Sequence, residues 1–350
     1  MKNWQGYMSE RINILFLWKP EDTLWNYLKD GLKDFPIIEF FIVDKEIQPE
    51  IEKEYYVKSD IIIGWRPNEE YIREAKNLKL FINPGAGVKH LMKLFKELNS
   101  ERKITLVNGH GNSYFTAQHG VALLLSLMNK IVPHHNWMKV GRWRLGDDEA
   151  KTIPLRDRRI GLLGYGAINK KIHKFLSGFD VEFHVLKRSW NENNETGNLK
   201  KYLPEHLHEF LTAVDILIIA LPDTDKTNNL IDTKELELFG KNKNAVLVNI
   251  ARGAIINEEA LYNALKNNVI VGAAMDVWYN YSPEAIDDKK YPYDSEKFPF
   301  HELENVILSP HRAASPHDDL KRWDEVIENI SRFAKGEQKF LNTVDIEKGY

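Results

Sequence analysis

Short apolar runs rich in β-branched and aromatic residues alternate along the chain with polar–apolar stretches of helical length. "INILFLW" (12–18), "IIEFFIV" (37–43), "DIIIGW" (60–65), "LKLFIN" (78–83) and "ITLVN" (104–108) have the length and composition of strands. Residues 21–32 and 87–98 between them carry helical spacing. That alternation predicts a parallel sheet with helices on both faces. "SYFTAQHGVALLLSLMNKIV" (113–132) predicts one long apolar helix, opened by Asn112 or Ser113 as its cap. A second series follows: "RRIGLLGYG", "VEFHVLK", "VDILIIAL", "AVLVNIA", "VIVGAAMDV" and "NVILSP". The pattern predicts two doubly wound α/β units, joined through the helix at 113–132, with an amphipathic helix at 316–336 returning to the first. No repeat of solenoid length and no low-complexity segment interrupts it.

A chain of 350 residues has room for two cores. Its net charge of −3 and the lack of any long basic run give no footprint for nucleic acid. The absence of cysteine removes disulfides, thiolate nucleophiles and Cys-based metal centres, and no metal site is expected. Met1–Arg11 has no apolar core of a signal peptide, and no run approaches the ~18 apolar residues of a membrane span. A cytoplasmic protein without a membrane partner is expected.

"RRIGLLGYGAINKKIHKFL" sets an apolar strand, a glycine turn and a helix in immediate succession. Gly164 and Gly166 supply the first two positions of G-x-G-x-x-G, and Tyr165, Ala167 and Ile168 complete the turn. The first glycine permits the bend, the second lets the backbone approach a pyrophosphate, and the helix N-terminus offers N–H groups to it. Asn169 replaces the third glycine, whose usual role is close helix–strand packing, so it is expected to act as a packing variant. A carboxylate for the ribose 2′-OH belongs about 20 residues on, at the tip of the second strand. Here that tip is Lys187-Arg188-Ser189. Two cations and a hydroxyl suit a 2′-phosphate, so NADP(H) is the expected cofactor. If these are only solvated strand-end charges, NAD(H) is the alternative.

With these motifs in order, the chain resembles the D-isomer-specific 2-hydroxyacid dehydrogenases over nearly its whole length. "NPGAGVKHL" (83–91) is similar to the family's substrate loop, and 111–131 to its domain-spanning helix, with Gln118 where glutamate is common. "LPDTDKTNNLI" (221–231), "LVNIARGAIINEEAL" (247–261), "GAAMDVW" (272–278) and "LSPHRAAS" (308–315) complete the series. The resemblance implies a flavodoxin-like substrate domain from residues 1–112 and 316–350, and a Rossmann nucleotide-binding domain from 113–315. It implies hydride transfer between a nicotinamide and C2 of a small 2-hydroxy or 2-oxo acid. Arg252 would bind the carboxylate, and His311 would be the acid/base. Leu221, Pro222, Thr227, Ile250, Ala251, Asp276 and Ala313 would contact the cofactor. Trp65, Gly85, Ala86, Gly87 and Asn112 would contact the acid, with Arg66 able to select a second acidic group. A homodimer built around the second unit is also implied.

The chemistry of the residues agrees. Arg252 follows an apolar strand at the sheet edge where α/β sites form, and a guanidinium there binds a carboxylate bidentately. Histidine is the side chain suited to exchange a proton near pH 7. One departure stands out. The family's glutamate beside the histidine falls here on Tyr281, flanked by Asn280 and Ser282, and the first nearby acid is Glu284. Without an anionic partner the pKa of His311 is expected to fall. Tyr281 or Glu284 orients His311, or a neutral partner suffices, as the glutamine at that position in the similar formate dehydrogenases implies, or catalysis has been lost. A glyoxylate- or hydroxypyruvate-type reductase is the leading expectation. A formate- or phosphite-type dehydrogenase, for which Lys89 gives slight support, and a cofactor-sensing binding protein of the same fold are the alternatives.

Overall fold

The computed structural model describes residues 11–143, 146–190, 199–242 and 244–349, so Met1–Glu10 of the N-terminal stretch lies outside the described residues. The chain divides into two compact units, Met1–Asn112 with Pro316–Tyr350, and Ser113–Ser315.

In the first unit β1 (Ile12–Phe16), β2 (Ile38–Ile42), β3 (Ile61–Ile63), β4 (Leu80–Asn83) and β5 (Thr105–Asn108) form a parallel sheet in the order β2-β1-β3-β4-β5. This is the flavodoxin-like order. Alternate residues face opposite ways along each strand, so both faces need a cover. Ile14, Phe16, Ile61, Ile63, Leu80 and Ile82 pack under helices Asp22–Gly31 and Asp324–Ala334. Leu15, Ile62, Phe81 and Leu106 pack against the helix Met92–Glu101 on the other face.

The second unit holds β6 (Arg159–Leu163), β7 (Glu182–Leu186), β8 (Leu199–Tyr202), β9 (Ile216–Ile219), β10 (Val246–Asn249), β11 (Gly272–Met275) and β12 (Val306–Leu308). All are parallel, in the order β12-β11-β10-β9-β6-β7-β8. That is the Rossmann order with a seventh strand, and its direction reverses between β6 and β9. Ile160, Leu162, Ile216, Ile218, Val246 and Val248 fill one face, and Leu163, Leu217, Ile219, Leu247 and Met275 the other.

Three expectations change. The helix predicted over 113–132 ends at Met128, Lys130 is left-handed, and a new helix runs Ile131–Lys139. Pro133 explains the break: lacking an N–H and clashing with the carbonyl four residues back, it fits only the first turn of a helix. The C-terminal helix is shorter than 316–336, starting at Asp324 after a turn at Lys321–Trp323. β8 was not expected, because "LKKY" is polar; it is an edge strand whose lysines face solvent. Among the described residues no helix is long and apolar enough to cross a membrane.

Candidate active site

Expected site residues follow the C-terminal ends of the parallel strands in both units, where ligands bind in open α/β sheets. In the first unit Trp65 follows β3, the loop Gly85–Gly87 follows β4, and Asn112 follows β5. The loop is shaped by two buried asparagines. Asn83 Nδ2 donates to the carbonyl of Gly85 and to that of Gly87 (3.3 Å), and Asn108 Nδ2 donates to that of Ala86 (2.8 Å). A trans peptide carries its N–H on the edge opposite its C=O. Turning the Gly85 and Ala86 carbonyls inward therefore turns the N–H groups of Ala86 and Gly87 outward. Among the described residues neither N–H has a hydrogen-bond partner. Such a pair of free N–H groups suits an anion. Trp65, Gly85 and Asn112 also line a cavity of about 50 Å³ with Pro84, Arg322 and Trp323. Arg66, beside them in sequence, is exposed.

In the second unit the glycine turn has the geometry expected of it. Gly164 has φ +87°, and a Cβ there would lie 2.5 Å from the Ala220 carbonyl oxygen. Gly166 differs: its backbone is extended and a Cβ would meet nothing within 4 Å. Nothing in the chain itself demands glycine at 166; the space beside it, at the N-terminus of the helix Ala167–Leu176, is open. Asn169 is more than the packing variant expected. It is fully buried, and its Nδ2 donates to the Gly164 carbonyl (2.7 Å), with those of Leu163 and Ile218 at 3.4 Å. It ties the turn to β6 and β9 at the point where strand order reverses.

At the tip of β7 no carboxylate stands beside Lys187, Arg188 and Ser189 in the sequence. Lys187 Nζ lies 4.2 Å from the centre of the Trp190 ring, and Lys201 of β8 lies 5.0 Å from it. Trp190 is pinned by its Nε1–H to the Tyr202 carbonyl (3.0 Å). Neither Trp190 nor Lys201 was expected at the site. After β9, Leu221 and Pro222 open a loop closed by Thr227, whose Oγ1 donates to the Pro222 carbonyl (2.7 Å).

Ile250, Ala251 and Arg252 follow β10 in a turn held by buried Asn249, which accepts from Ala251 N–H and donates to the Arg252 carbonyl, both at 3.0 Å. Arg252 Nη1 donates to the Ala251 carbonyl (2.6 Å), and among the described residues no carboxylate pairs with it. A half-buried guanidinium left with most of its donors open is able to receive an anion.

His311 sits in the loop after β12 with φ +56°, a conformation uncommon for a side-chain-bearing residue and held here by Asp276. Asp276 is 2% exposed; it accepts from Ser309 Oγ (2.5 Å), Arg312 N–H (2.8 Å) and Ala313 N–H (3.0 Å). His119 Nε2 lies 2.9 Å from Ser309 Oγ and 3.5 Å from Asp276. Burial pushes the Asp276 pKa up, but these hydrogen bonds outweigh it and hold the carboxyl below its usual range. Asp276, expected at the cofactor, thus uses both oxygens to fix the His311 loop, and Ala313 enters through its N–H.

Of the two candidate partners, Tyr281 reaches His311: its Oη is 3.1 Å from Nδ1, while among the described residues Glu284 makes no hydrogen bond with the imidazole. His311 is open to solvent on one side, and the atoms packed on the other lower its pKa below the usual histidine value; Asp276 opposes this, and Arg252 and Arg312 add to it. The direction agrees with the expectation, although desolvation rather than the missing anion is its first cause. Desolvation also raises the Tyr281 pKa, against the field of Arg252, so the phenol stays protonated. Those mutual fields place Arg252, Tyr281 and His311 in one cluster.

Residues 121–313 match the family model described as D-isomer specific 2-hydroxyacid dehydrogenase, NAD binding domain. The chain belongs to that family. A D-3-phosphoglycerate dehydrogenase of Archaeoglobus fulgidus is 31% identical over 272 residues, 76% of this chain and 47% of that protein. The chain thus spans about half the length of that relative. A glyoxylate/hydroxypyruvate reductase A of Photorhabdus laumondii is 28% identical over 83% of this chain and 88% of its own. Among solved structures, a family member from Xanthobacter autotrophicus in complex with NADPH and MES has the same fold, with TM-score 0.75 at 22% identity, covering 98% of this chain and 100% of that one.

Proposed function

We propose that this family member is a reductase of small 2-oxo acids of the glyoxylate/hydroxypyruvate type, using NADP(H) in preference to NAD(H). The observation that carries the reading is the cluster of an unpaired Arg252 with His311 and Tyr281. Gly164, Tyr165, Gly166, Ala167, Ile168, Leu221, Pro222, Thr227, Ile250, Ala251, Asp276 and Ala313 would hold the dinucleotide, with Lys187, Arg188 and Ser189 at its 2′-phosphate. When bound, the nicotinamide supplies the hydride for C2. Arg252 binds the acid's carboxylate through two parallel N–H bonds and polarises the neighbouring C2 oxygen. Trp65, Gly85, Ala86, Gly87 and Asn112 receive the acid in the first unit. His311 gives its Nε2 proton to the C2 oxygen during reduction and takes it back during oxidation.

Tyr281 fits both states of that histidine. A carboxylate only accepts, and so favours the imidazolium. A phenol hydroxyl accepts from Nδ1–H or donates to a bare Nδ1, and so orients the ring without favouring its charge. The cofactor choice rests on the β7 tip, where two cations stand in place of an acid.

The test is NADPH oxidation with glyoxylate, hydroxypyruvate and pyruvate, repeated with NADH. Reduction of at least one acid, faster with NADPH, supports the proposal. No turnover, with NADPH binding intact, would leave a cofactor-binding protein. Formate- or phosphite-dependent reduction of NADP would instead identify a small-anion dehydrogenase.

A further inference from the structure

Arg322 has no role in the family pattern described above, yet it lines the first-unit cavity with Trp65, Gly85 and Asn112. Its guanidinium lies over the Trp323 ring, 5.1 Å from the centroid. Trp323 is itself 3% exposed and stacked on Trp18 at 5.7 Å, and Trp18 packs on Trp65 at 4.9 Å. The guanidinium is thus held over a rigid aromatic base. Among the described residues it has no hydrogen bond and no ion pair. The acids nearest in sequence are engaged elsewhere: Asp324 accepts from Tyr27 Oη, Asp319 from Lys321 N–H (2.9 Å), and Glu325 from His110 N–H (2.6 Å) and Asn342 Nδ2 (3.1 Å). Among the described residues no carboxylate lines the cavity.

A half-buried guanidinium, held over an aromatic ring with its donors open, is suited to bind a carboxylate. Size narrows the class. One water needs roughly 10–15 Å³ of such space, so about 50 Å³ admits a group of three or four heavy atoms. A carboxylate fits, whereas an aromatic ring does not. A positive cavity beside the outward N–H groups of Ala86 and Gly87 therefore suits an acid with a second carboxylate.

We propose that Arg322 is a specificity-determining residue that receives the distal carboxylate of a 2-oxo dicarboxylic acid. The inference rests on the 2-oxo acid reading and narrows it. It also moves the role considered for Arg66 to a residue of the C-terminal segment.

Chain-matched pairs test it: 2-oxoglutarate against 2-oxovalerate, and oxaloacetate against 2-oxobutanoate, each with NADPH. The expected kcat/KM is at least tenfold higher for a dicarboxylate than for its matched monoacid. Arg322→Met should bring that ratio toward one, and Arg322→Lys should recover part of it. The backbone of Arg322, which packs on Gly111, is unaltered in both. A wild-type ratio near one overturns the proposal, as does a ratio that survives Arg322→Met or is removed by Arg66→Met instead. If no 2-oxo acid is turned over, the reductase reading fails by itself, and quenching of tryptophan fluorescence then decides on Arg322. Tighter quenching by 2-oxoglutarate than by 2-oxovalerate, lost in Arg322→Met, supports the site; equal quenching by both overturns it.

Discussion

Arg252, Tyr281 and His311 divide the proposed chemistry into charge, orientation and proton transfer, and each can be removed singly. Arg252→Met should lower kcat/KM for 2-oxo acids by ~10²–10³-fold, the range for losing one preorganised donor at a developing oxyanion. NADPH affinity, read by fluorescence, should change far less. The pH dependence follows from the lowered pKa of His311. A proton donor must be protonated to act, so reductive kcat/KM should be highest in mild acid and fall as pH rises through a pKa below ~6.5. Tyr281→Glu supplies an anion that favours the imidazolium and should move this fall upward by ~1 pH unit. An unmoved profile would separate His311 from the proton transfer. Arg252 and His311 were legible in the sequence through their motifs. The partner of His311 was not, since spacing left Tyr281 and Glu284 equal and only the fold of the loop brings one of them to 3.1 Å.

Buried amides set the turns that carry the site. Asn83 and Asn108 aim the substrate loop, Asn169 ties the glycine turn to two strands, and Asn249 shapes the turn of Arg252. Removing such a side chain leaves buried carbonyls unsatisfied, at about 1–3 kcal/mol each. Asn108→Ala should therefore lower the melting temperature and raise KM for the acid more than it lowers kcat. Asn169→Leu should weaken NADPH binding by roughly tenfold, within the same energy range; equal affinity would show that the turn holds its shape without the amide. Strand positions were readable from apolar runs, because both faces of each sheet are covered. The amides were not, because an asparagine at a strand end looks like any turn residue until its neighbours in space are known. β8 was hidden by its polar composition, and the break at Asn129–Lys130 by the continuous apolar pattern across it.

For the whole molecule, strand order and charge at the β7 tip carry the cofactor reading. Lys187→Asp combined with Arg188→Ala should lower the ratio of NADPH to NADH kcat/KM by ten- to a hundredfold, about 1.4–2.7 kcal/mol, with the melting temperature unchanged. Ile131, Val132, Met138, Val140 and Trp143, close together in sequence, are exposed in the second unit. We propose that a second copy covers them, and light scattering should return the mass of a dimer. The two sheet orders were legible at the level of fold class because α/β alternation with right-handed crossovers leaves few topologies. The claim on which all of this depends is that the Arg252–His311 cluster reduces a 2-oxo acid. The direct measurement is single-turnover oxidation of protein-bound NADPH on mixing with glyoxylate or hydroxypyruvate, in wild type and in His311→Gln. We expect oxidation in the wild type and a rate ~10²–10⁴-fold lower in the variant, the usual contribution of a general acid, with NADPH still bound. Equal rates in both proteins, or NADPH bound by the wild type without oxidation by any 2-oxo acid, would contradict it.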